Sequence, residues 1–438
     1  MKSIPDITKS WFGWREFLGL QRDLLSTYEA WQHGWGDAVQ LRFLGQRHIV
    51  LYAPQAVGEV LKHADFVRYP RMMRVLRQVM GDSVSSAEGA HWQERRRLLA
   101  PAFRVQHVQS YAQSVERIVE EAFGDPEITL RVVPAMSEMV DGTVQMSAMT
   151  ELTLRVICGA VLDLQPGNDI SWVGVALQSL GKAAMVELFL PAPLPDWLPI
   201  PFVRRKRRAI RQIQDFVADL TQRGGRHFLA RLEGLSPLQV RDETLNLILA
   251  GHETTAAGLS WALYLLATHP QVAQRVAVEG LGYCERVVKE TLRLYPPAPA
   301  LFLRQAQQEL RVDNYEIPRG SIVHLPAWAV HRDSRYFEDP LKFNPDRFAP
   351  EAVKQRPEFS YFPFGGGPRI CLGQSFALLE MSVILTVLLR KYHIETLDVG
   401  ASPLCQVRFS LWPGWPLELK LRRRENLVQG LDEQLQRL

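Results

Sequence analysis

The spacing of apolar and polar residues changes its period along the chain, and the change predicts where strands and helices lie. Residues 39–53 alternate in the manner of two short strands joined by a turn. Most of residues 88–300 repeats with a helical period instead, and strand-like alternation returns at 301–325 and near 405–421. This order favours a mainly α fold with a small β part that lies largely towards the two ends of the sequence.

Two similar pentapeptides fall inside the region of helical period. IleThrLeuArgVal at 128–132 is echoed by LeuThrLeuArgVal at 152–156, while the MetSerGluMet and MetSerAlaMet segments near them repeat at a different offset. Because the two offsets disagree, we interpret the echo as chance and not as a repeat array.

The chain shows no Ser/Gly linker or low-complexity block that would separate domains. We therefore interpret residues 1–421 as a single domain. The tail, residues 422–438, begins ArgArgArgGluAsn and continues with the spacing of a short amphipathic helix. We expect this tail to be a surface-packed or frayed terminal helix.

The longest helical pattern begins at Pro237, after Ser236 as its N-cap, and ends at His269 before Pro270. At 1.5 Å per residue it is roughly 48 Å long. Because it is apolar on most sides, we expect it to pass through the middle of a large core. Its centre nevertheless reads AlaGlyHisGluThrThr at 250–255, and buried polar groups beside a glycine cost free energy unless something uses them.

Composition and charge exclude several classes of protein. Of 438 residues, 51 are basic and 47 acidic, a net charge of +4 that is too small to indicate a nucleic-acid partner. No uncharged apolar stretch is long enough for a spanning helix, and the first 25 residues are too charged for a signal peptide. We expect a cytoplasmic protein, and a monomer.

One of the four cysteines has chemically informative neighbours. The cysteines at 158, 284, 371 and 405 lack the paired spacing of zinc sites or disulfide frameworks. Only Cys371 follows a glycine-rich segment, Gly365 to Gly367, and precedes a helical pattern. Glycines allow a tight turn, and the positive end of a helix favours a thiolate over a thiol. An isolated cysteine in such a turn would more often be a small buried residue.

The spacing around Cys371 decides between these interpretations. Five residues over ten positions match the haem-binding loop of the cytochrome P450 family, which this chain therefore resembles; they are Phe364, Gly367, Arg369, Cys371 and Gly373. The resemblance implies an α-rich, prism-shaped P450 fold with haem b between the long central helix and the helix after the cysteine loop. It implies that Cys371 is the axial iron ligand, that Phe364 packs beside its sulfur and that Arg369 pairs with a haem propionate.

Further matches follow in the family's order. GlyAlaHisTrpGlnGluArgArg from Gly89 is similar to the helix at the haem edge, which implies propionate contacts for Trp92 and Arg96, with Arg304 as a third cation. We expect the neighbouring Arg95 and Arg97 to be solvent-exposed cations that dock an acidic electron carrier.

A second set of charged residues resembles the family's buried ion triad. Glu290 and Arg293 lie at helical spacing i, i+3, and Arg347 lies in ProAspArgPhe further along the chain. The resemblance implies that the triad is a structural lock behind the haem.

The polar centre of the long helix resembles the family's oxygen-binding groove. It implies that Ala250 and Gly251 lie against the haem and that Gly251 lets the helix distort, which frees the Thr254 hydroxyl beside the iron. We expect Thr254 to lie nearest the oxygen and Glu253 to relay protons from water. We interpret His252 and Thr255 as core contacts. By the same match the substrate pocket is expected to include Ala250, Thr254, Ala298, Ala300, Leu301 and Phe302.

These features predict a monooxygenase that inserts one oxygen atom of O₂ into a C–H bond of a hydrophobic substrate. No flavin, nicotinamide or iron–sulfur signature is visible in the sequence, so electrons from NAD(P)H are expected through a separate ferredoxin or flavodoxin and its reductase. The alternatives are a peroxide-driven haem-thiolate enzyme and a non-catalytic haem carrier or sensor. Members of the first kind typically lack the acid–threonine pair, and pure haem binding does not need it.

The resemblance divides over substrate. The short segment between Pro270 and Glu290 is similar to compact bacterial members, including a carotenoid-hydroxylating type, whereas residues 250–255 and AlaProAla at 298–300 look more like fatty-acid hydroxylases. The sequence therefore predicts a long, mostly apolar substrate, either a fatty acid or an isoprenoid such as a carotenoid.

An apolar, proline-rich stretch at 183–203 is followed by a basic cluster, which consists of Arg204, Arg205, Lys206, Arg207, Arg208 and Arg211. Such a combination suits peripheral contact with an anionic inner-membrane surface, from which a water-insoluble substrate could be drawn. It equally suits a cover on the core beside a solvated helix. An arginine or lysine of the cluster could also anchor a substrate carboxylate, which would favour a fatty acid.

Overall fold

The fold is described from a computed structural model. It describes residues 2–9, 13–43, 45–125, 127–132, 137–140, 143–146, 148–164, 172–173, 176, 179–181, 183, 186–187, 194–195, 197–222, 228–396, 404–414 and 417–424.

Helices dominate the chain. In order they are α1 Trp14–Arg22, α2 Leu24–Trp35, α3 Pro54–Lys62, α4 Pro70–Met80, α5 Gly89–Leu99, α6 Val105–Gln109, α7 Ala112–Ala122, α8 Ala148–Val156, α9 Pro201–Gln222, α10 Pro237–Thr268, α11 Pro270–Glu279, α12 Leu281–Leu294, α13 Ala327–Val330, α14 Pro350–Lys354 and α15 Gln374–Lys391. Short 3₁₀ turns lie at Ala100–Phe103, Leu229–Leu232, Pro345–Phe348 and Gly367–Arg369, and one π-helical turn lies at Ile157–Val161.

The strands are shorter and form small sheets. They are β1 Ala38–Phe43, β2 Gln46–Leu51, β3 Phe66–Arg68, β4 Glu127–Val132, β5 Ser137–Val140, β6 Thr143–Met146, β7 Arg304–Ala306, β8 Leu310–Val312, β9 Tyr315–Ile317, β10 Ile322–His324, β11 Tyr392–Thr396, β12 Cys405–Val407, β13 Leu411–Pro413 and β14 Leu417–Arg423. A five-stranded sheet has the order β1-β2-β10-β7-β3, and a three-stranded sheet has the order β11-β14-β4. The remaining strands pair two by two, as β5-β6, β8-β9 and β12-β13.

The predicted mainly α fold with a small β part is confirmed, as is the hairpin at 39–53. β1 and β2 pair antiparallel from Ala38 opposite Leu51 to Phe43 opposite Gln46. A large apolar cluster is formed mostly by helices around α10, and a second forms between the five-stranded sheet and α3.

The helical prediction for most of residues 88–300 is wrong where the structure describes the strands β4, β5 and β6, between residues 127 and 146. Residues 127–132 form β4, which pairs antiparallel with β14 over its whole length, whereas the near-identical pentapeptide 152–156 lies in α8. β-Branched and long apolar residues tolerate either state, so the partner decides. Here β14 supplies a hydrogen-bonding edge for the first copy, and α8 packs its buried face on α10 for the second.

The central helix α10 has the predicted bounds because its ends carry explicit signals. The Ser236 hydroxyl accepts a hydrogen bond from the Gln239 backbone N–H, and the Gln239 side-chain oxygen accepts one from the Ser236 N–H, which completes a capping box. Pro237 occupies the first turn, and the helix ends at Thr268 before His269 and Pro270.

The interpretation of residues 1–421 as one domain stays a prediction, although β14 carries regular structure past that boundary to Arg423. The amphipathic helix expected in the tail lies outside the described residues from 425 onward. Among the helices that the structure describes, none is long and apolar enough to cross a membrane.

A buried chain of polar rings links α2 to the five-stranded sheet. The Tyr28 hydroxyl lies 2.8 Å from Nδ1 of His324, whose Nε2 lies 2.9 Å from Nδ1 of His48. Burial lowers the pKa of His48 to about 4 and that of His324 well below its usual value. Both rings are therefore neutral in the folded protein at neutral pH.

These histidines predict acid sensitivity of the fold. Between pH about 6.5 and about 4 the unfolded chain binds protons at these rings and the folded chain does not, so stability falls as the pH falls, by up to ~1.4 kcal/mol per pH unit and group. His48→Gln should make the fall shallower over this window, as measured by urea unfolding at a series of pH values. His33→Gln, at an exposed position, is the control. Identical slopes for the native protein and His48→Gln would contradict the account.

Candidate active site

The cysteine loop is a compact turn held by its own backbone. The Cys371 N–H donates to the Phe364 carbonyl over 2.9 Å, and Gly365 donates to Phe362 over the same distance. Gly367 has φ +63°, and a side chain there would collide with the Leu61 carbonyl, so glycine lets α3 pack directly on the turn. Phe364 packs against the helical core. The loop therefore fixes the position of Cys371.

Cys371 differs from the other cysteines in access and in charge environment. Its residue is accessible, although burial within the surrounding protein raises the pKa of its thiol. The Gly373 N–H, just before α15, and the Arg96 guanidinium act in the opposite direction and stabilise the thiolate. By contrast, burial raises the pKa of Cys158 and Cys284 to about 12 and that of Cys405 to about 11. Cys371 is thus the best placed of the four to bind a metal.

The central helix is buried along most of its length but opens at its polar centre. Ala250 is exposed and Gly251 and Thr254 are half-buried, while Leu249 and Thr255 on either side are buried. Positions 250 and 254 lie one turn apart, so they share one face. The Thr254 hydroxyl donates to the Ala250 carbonyl over 2.7 Å. An accessible face in the middle of a core helix indicates a site and not a packing surface.

The expectation that Gly251 distorts the helix is wrong, because α10 is a continuous α-helix from Pro237 to Thr268. A Cβ at Gly251 would come within 3.0 Å of Ile157 in the π-helical turn. The glycine therefore permits close packing between α10 and this turn. Nearby, the Thr153 hydroxyl donates to the His252 carbonyl over 2.9 Å, which adds a second contact between α8 and α10.

Glu253 lies beside the accessible face but points towards β13. It is 6% exposed, and burial raises its pKa to about 7, opposed by hydrogen bonds from the Trp412 side chain and the Ser410 backbone. It also lines a cavity of about 20 Å³, large enough for one water molecule. A carboxyl with this pKa exchanges protons readily near neutral pH. His252 and Thr255, interpreted as core residues, are indeed buried.

Sequence reasoning missed a second buried carboxyl. Glu380 of α15 is 1% exposed, and burial raises its pKa well above the usual value, with the Thr255 side chain opposing the shift. In the sequence, Glu380 could have been recognised as a single acid inside an otherwise mostly apolar helical pattern.

A cluster of cations lies between the cysteine loop, α5 and the five-stranded sheet. The Arg369 guanidinium stacks 3.8 Å from the Trp92 ring, and Arg96 donates to the Ile370 carbonyl over 2.9 Å. Arg304 is 7% exposed. Burial and the neighbouring Arg68 lower the pKa of Arg304 to about 10 and that of Arg369 to about 9. The four predicted residues are thus brought together, and the charges of the three arginines among them repel one another.

Arg68 was not predicted from the sequence. It lies opposite Arg304 in the β3–β7 pairing and is 6% exposed, on the same strand face as the buried Phe66. Within the described chain, Glu88 is the carboxylate that pairs with Arg68 and Arg369. One carboxylate cannot neutralise four guanidinium groups, so the cluster fits a ligand with negative charges, such as the two propionates of haem.

The predicted ion triad is brought together in the structure. Arg293 is fully buried and binds Glu290 through two hydrogen bonds of 2.6 and 2.8 Å. Nε of Arg347 lies 3.5 Å from the Glu290 carboxylate. Arg293 also donates to the His331 and Pro340 carbonyls, so it ties α12 to the segment before the cysteine loop. Its role as a structural lock stays a prediction.

The expectation that Arg95 is a solvent-exposed cation is wrong. Arg95 is 2% exposed, its Nε lies 3.8 Å from the Glu243 carboxylate of α10, and it donates to His91. Arg97, two residues further round α5, is exposed as expected. α5 turns Arg95 towards α10, a neighbour that the helical period of α5 alone could not reveal.

The segment 298–302, expected in the pocket, lies between α12 and β7 and contacts the cysteine loop and the end of β10. Leu301 donates its N–H to Leu325 over 3.1 Å and lies next to Gly365. Ala298 and Ala300 are half-buried, and Phe302 is 39% exposed. The apolar lining of the small cavity beside Glu253 was missed; it comprises Leu76, Val79, Met80, Leu180, Gly181, Leu249 and Phe409.

An accessible cysteine at a helix start, an accessible threonine face on the central helix and a cation cluster beside them define the site of a haem-thiolate protein. The family model described as Cytochrome P450 matches residues 7–414, and the chain therefore belongs to the cytochrome P450 family, whose members are monooxygenases. Membership implies haem and O₂, with electrons from a redox partner. When bound, haem supplies the iron at which O₂ is reduced. Cys371 would hold that iron, and the cation cluster would hold the propionates.

Individual relatives agree with this assignment. The chain is similar to a probable cytochrome P450 4d20 of Drosophila melanogaster, at 28% identity over 90% of this chain and 87% of that protein. It is similar to LUTEIN DEFICIENT 5, chloroplastic, of Arabidopsis thaliana, at 29% identity over 84% and 69%. Among solved structures, CYP175A1 from Thermus thermophilus aligns with a TM-score of 0.80 and 25% identity, covering 96% of this chain and all of that one.

The ligand assignment predicts the spectrum of a single variant. Cys371→Ala should lose the red-shifted Soret band of the ferrous carbon monoxide complex, because this band requires a thiolate ligand on the iron. Cys284→Ala and Cys405→Ala are matched controls and should keep it. A normal band in Cys371→Ala, or its loss in a control, would contradict the assignment.

Proposed function

We propose that this protein hydroxylates a long, mostly apolar substrate, a fatty acid or an isoprenoid such as a carotenoid. Electrons from NAD(P)H are to come through a separate ferredoxin or flavodoxin and its reductase. The observation that carries the proposal is the accessible face at Ala250 and Thr254 in an otherwise buried helix, with Glu253 beside it. This is the arrangement that reductive activation of O₂ needs, since the reaction consumes protons in a place shielded from water.

In this proposal the chain's own groups supply those protons in two steps. The Thr254 hydroxyl, now bonded to the Ala250 carbonyl, can rotate to donate at the accessible face. Burial raises the pKa of Glu253 to about 7, so this carboxyl can accept and donate a proton near neutral pH. The one-water cavity that Glu253 lines provides a place for a water molecule from which this carboxyl could take up a proton.

The walls near the site support an apolar substrate. The cavity beside Glu253 is lined by aliphatic and aromatic side chains from α4, α10 and the segment before β13, with Glu253 as its ionisable residue. Leu301 and Phe302 extend the apolar surface next to the cysteine loop. These apolar side chains favour an apolar substrate, because an apolar site gains affinity mainly by burying substrate CH₂ groups, about 0.8 kcal/mol each.

The relatives support the same substrate class without choosing within it. The plant relative's name refers to lutein, which is an isoprenoid carotenoid. The match to the thermophile structure CYP175A1 agrees with the compactness of the chain.

A fatty acid would need a cation for its carboxylate, and Lys206 is not free for that role. It is 2% exposed and bound to Glu187 over 2.6 Å, so its assignment to an exposed basic cluster is wrong.

We also propose peripheral contact with an anionic membrane surface through the start of α9. Trp197 is 76% exposed and Ile200 is 36% exposed, although both are apolar. The exposed cations of α9 follow directly; they are Arg204, Arg205, Arg207, Arg208 and Arg211. Aromatic side chains insert at the level of lipid headgroups, and cations beside them attract anionic lipid. Much of the predicted access stretch 183–203 lies outside the described residues.

Thr254→Ala tests the monooxygenase proposal. Haem and substrate binding should be largely unchanged, while more of the NAD(P)H consumed ends as peroxide or water because bound oxygen is no longer protonated correctly. The measurement is product formed per NAD(P)H in a reconstituted system, with Thr268→Ala at the exposed end of the same helix as the control. An unchanged yield would contradict the relay role. Equal turnover with peroxide and no reductase would favour the peroxide-driven alternative.

A homologous substrate series tests the pocket. Dissociation constants from Soret shifts should fall about threefold to fourfold for each CH₂ added until the pocket is filled. Fatty acids and matching alcohols should be compared, because tighter binding of the acids would indicate a carboxylate anchor. Affinity that is flat with length, or tightest for a small polar ring compound, would contradict the long-chain assignment.

Vesicle co-sedimentation tests the membrane contact. The protein should sediment with vesicles that contain anionic lipid and much less with neutral vesicles, and both Trp197→Ser and Arg204→Glu should weaken binding. Trp35→Ser is the control, because Trp35 is an exposed tryptophan remote in sequence from α9. Equal binding of Trp197→Ser and Trp35→Ser would remove the membrane proposal and leave the enzymatic one intact.

A further inference from the structure

Two acids near the start of the central helix, Asp242 and Glu243, are not used by the proposed chemistry. They are 4% and 1% exposed, although acids are seldom buried without a task. Both face the loop of residues 81–88, which connects α4 to α5. We call the two acids the acid anchor and the connection loop 81–88.

The acid anchor holds the first half of the loop through its backbone. Asp242 accepts the Asp82 N–H over 2.9 Å, and the two oxygens of Glu243 accept the Val84 N–H over 3.0 and 3.1 Å. Gly81, at φ +63°, lies so close to Asp242 that a Cβ there would overlap the carboxylate. Arg95 adds a cation from α5, with its Nε 3.8 Å from Glu243.

The second half of the same loop holds the cation cluster. The Ala87 carbonyl accepts hydrogen bonds from both Arg68 and Arg369. The Glu88 carboxylate forms ion pairs with the same two arginines. Arg369 belongs to the cysteine loop, so the short loop 81–88 contacts both the central helix and the residues that would hold the propionates.

We propose that Asp242 and Glu243 are positioning residues for cofactor retention, because they seat loop 81–88 so that Ala87 and Glu88 hold Arg68 and Arg369 in place. Removing a carboxylate would free the Val84 or Asp82 N–H and let the loop shift. The arginines would then repel one another without a fixed counter-charge, and the cation cluster would open. The inference rests on haem binding by the family and not on the proposed substrate.

The charges that face Glu243 make the contact between the acid anchor and loop 81–88 sensitive to pH. Burial raises the pKa of Glu243 to about 7, opposed by the Val84 N–H and by Arg95, while Asp82 and Asp242 raise it further. His91 lies within hydrogen-bonding distance of Arg95, and Arg241 pairs with Asp242. Below pH about 7 protonation of Glu243 removes the charge that holds Arg95 and the loop, so retention should weaken as the pH falls.

The test is the rate at which the holoenzyme transfers haem to excess apomyoglobin. At pH 8, Glu243→Gln should release haem about tenfold faster than the native protein, as expected for losing one charge-assisted hydrogen bond. Release from the native protein should accelerate as the pH falls through about 7, and release from Glu243→Gln should lack this acceleration. Hydrogen exchange at the Val84 amide should be faster in the variant.

Two controls separate positioning from general destabilisation. Val276→Ala removes buried atoms of α11 away from the loop. It serves as the control for any fall in melting temperature that Glu243→Gln causes. Glu279→Gln removes an exposed, ion-paired carboxylate. Both should leave haem release near the native rate. If Val276→Ala releases haem as fast as Glu243→Gln at equal melting temperature, or if Glu243→Gln keeps the native rate and its pH dependence, the proposal is wrong. If Glu243→Gln does not fold, Asp242→Asn should give the faster haem release at pH 8, because it removes the carboxylate that accepts the Asp82 N–H; an unchanged rate would contradict the proposal.

Discussion

The structure depends on one constraint, that a 32-residue helix lies in the core with nearly every face buried and still carries polar side chains. Each such group must find a partner, because an unpaired buried polar group costs several kcal/mol. α10 meets this requirement region by region. Its first turns bind loop 81–88, its centre carries an accessible threonine, and Glu253 is held against β13. Away from its two ends, the helix has an exposed residue at Ala250, in the proposed active site.

The cation cluster is the complementary feature on the other side of the site. Four arginines from four different segments converge around Glu88, the one carboxylate paired with the cluster among the residues that the structure describes, and burial lowers the pKa of Arg304 and Arg369. Such a cluster is unfavourable for the protein alone, and a dianionic prosthetic group relieves it. The position of loop 81–88 therefore matters for the cation cluster as much as the arginines do, because this loop determines where the Glu88 carboxylate lies.

The sequence predicted the class of fold, the bounds of α10 and the cysteine loop, because these depend on local signals: a capping box, a proline, and closely spaced glycines. It could not predict features set by distant partners. Residues 128–132 and 152–156 are almost the same peptide, yet one forms β4 beside β14 and the other lies in α8. Arg95 and Lys206 sit in basic runs that look solvated, but Glu243 and Glu187 bury them. Arg68 was not predicted because its role depends on Arg304, which lies opposite it on the paired strand β7.

The central claim is that Cys371 and the accessible face of α10 at Ala250 would belong to one haem-binding site. The most direct test is carbon monoxide rebinding to the reduced protein after flash photolysis, in Ala250→Trp and in the exposed control Val278→Trp. A tryptophan at position 250 should slow or abolish rebinding while any complex that forms keeps the thiolate-type Soret band, and the control should rebind at the native rate. Native rebinding kinetics in Ala250→Trp would contradict the claim.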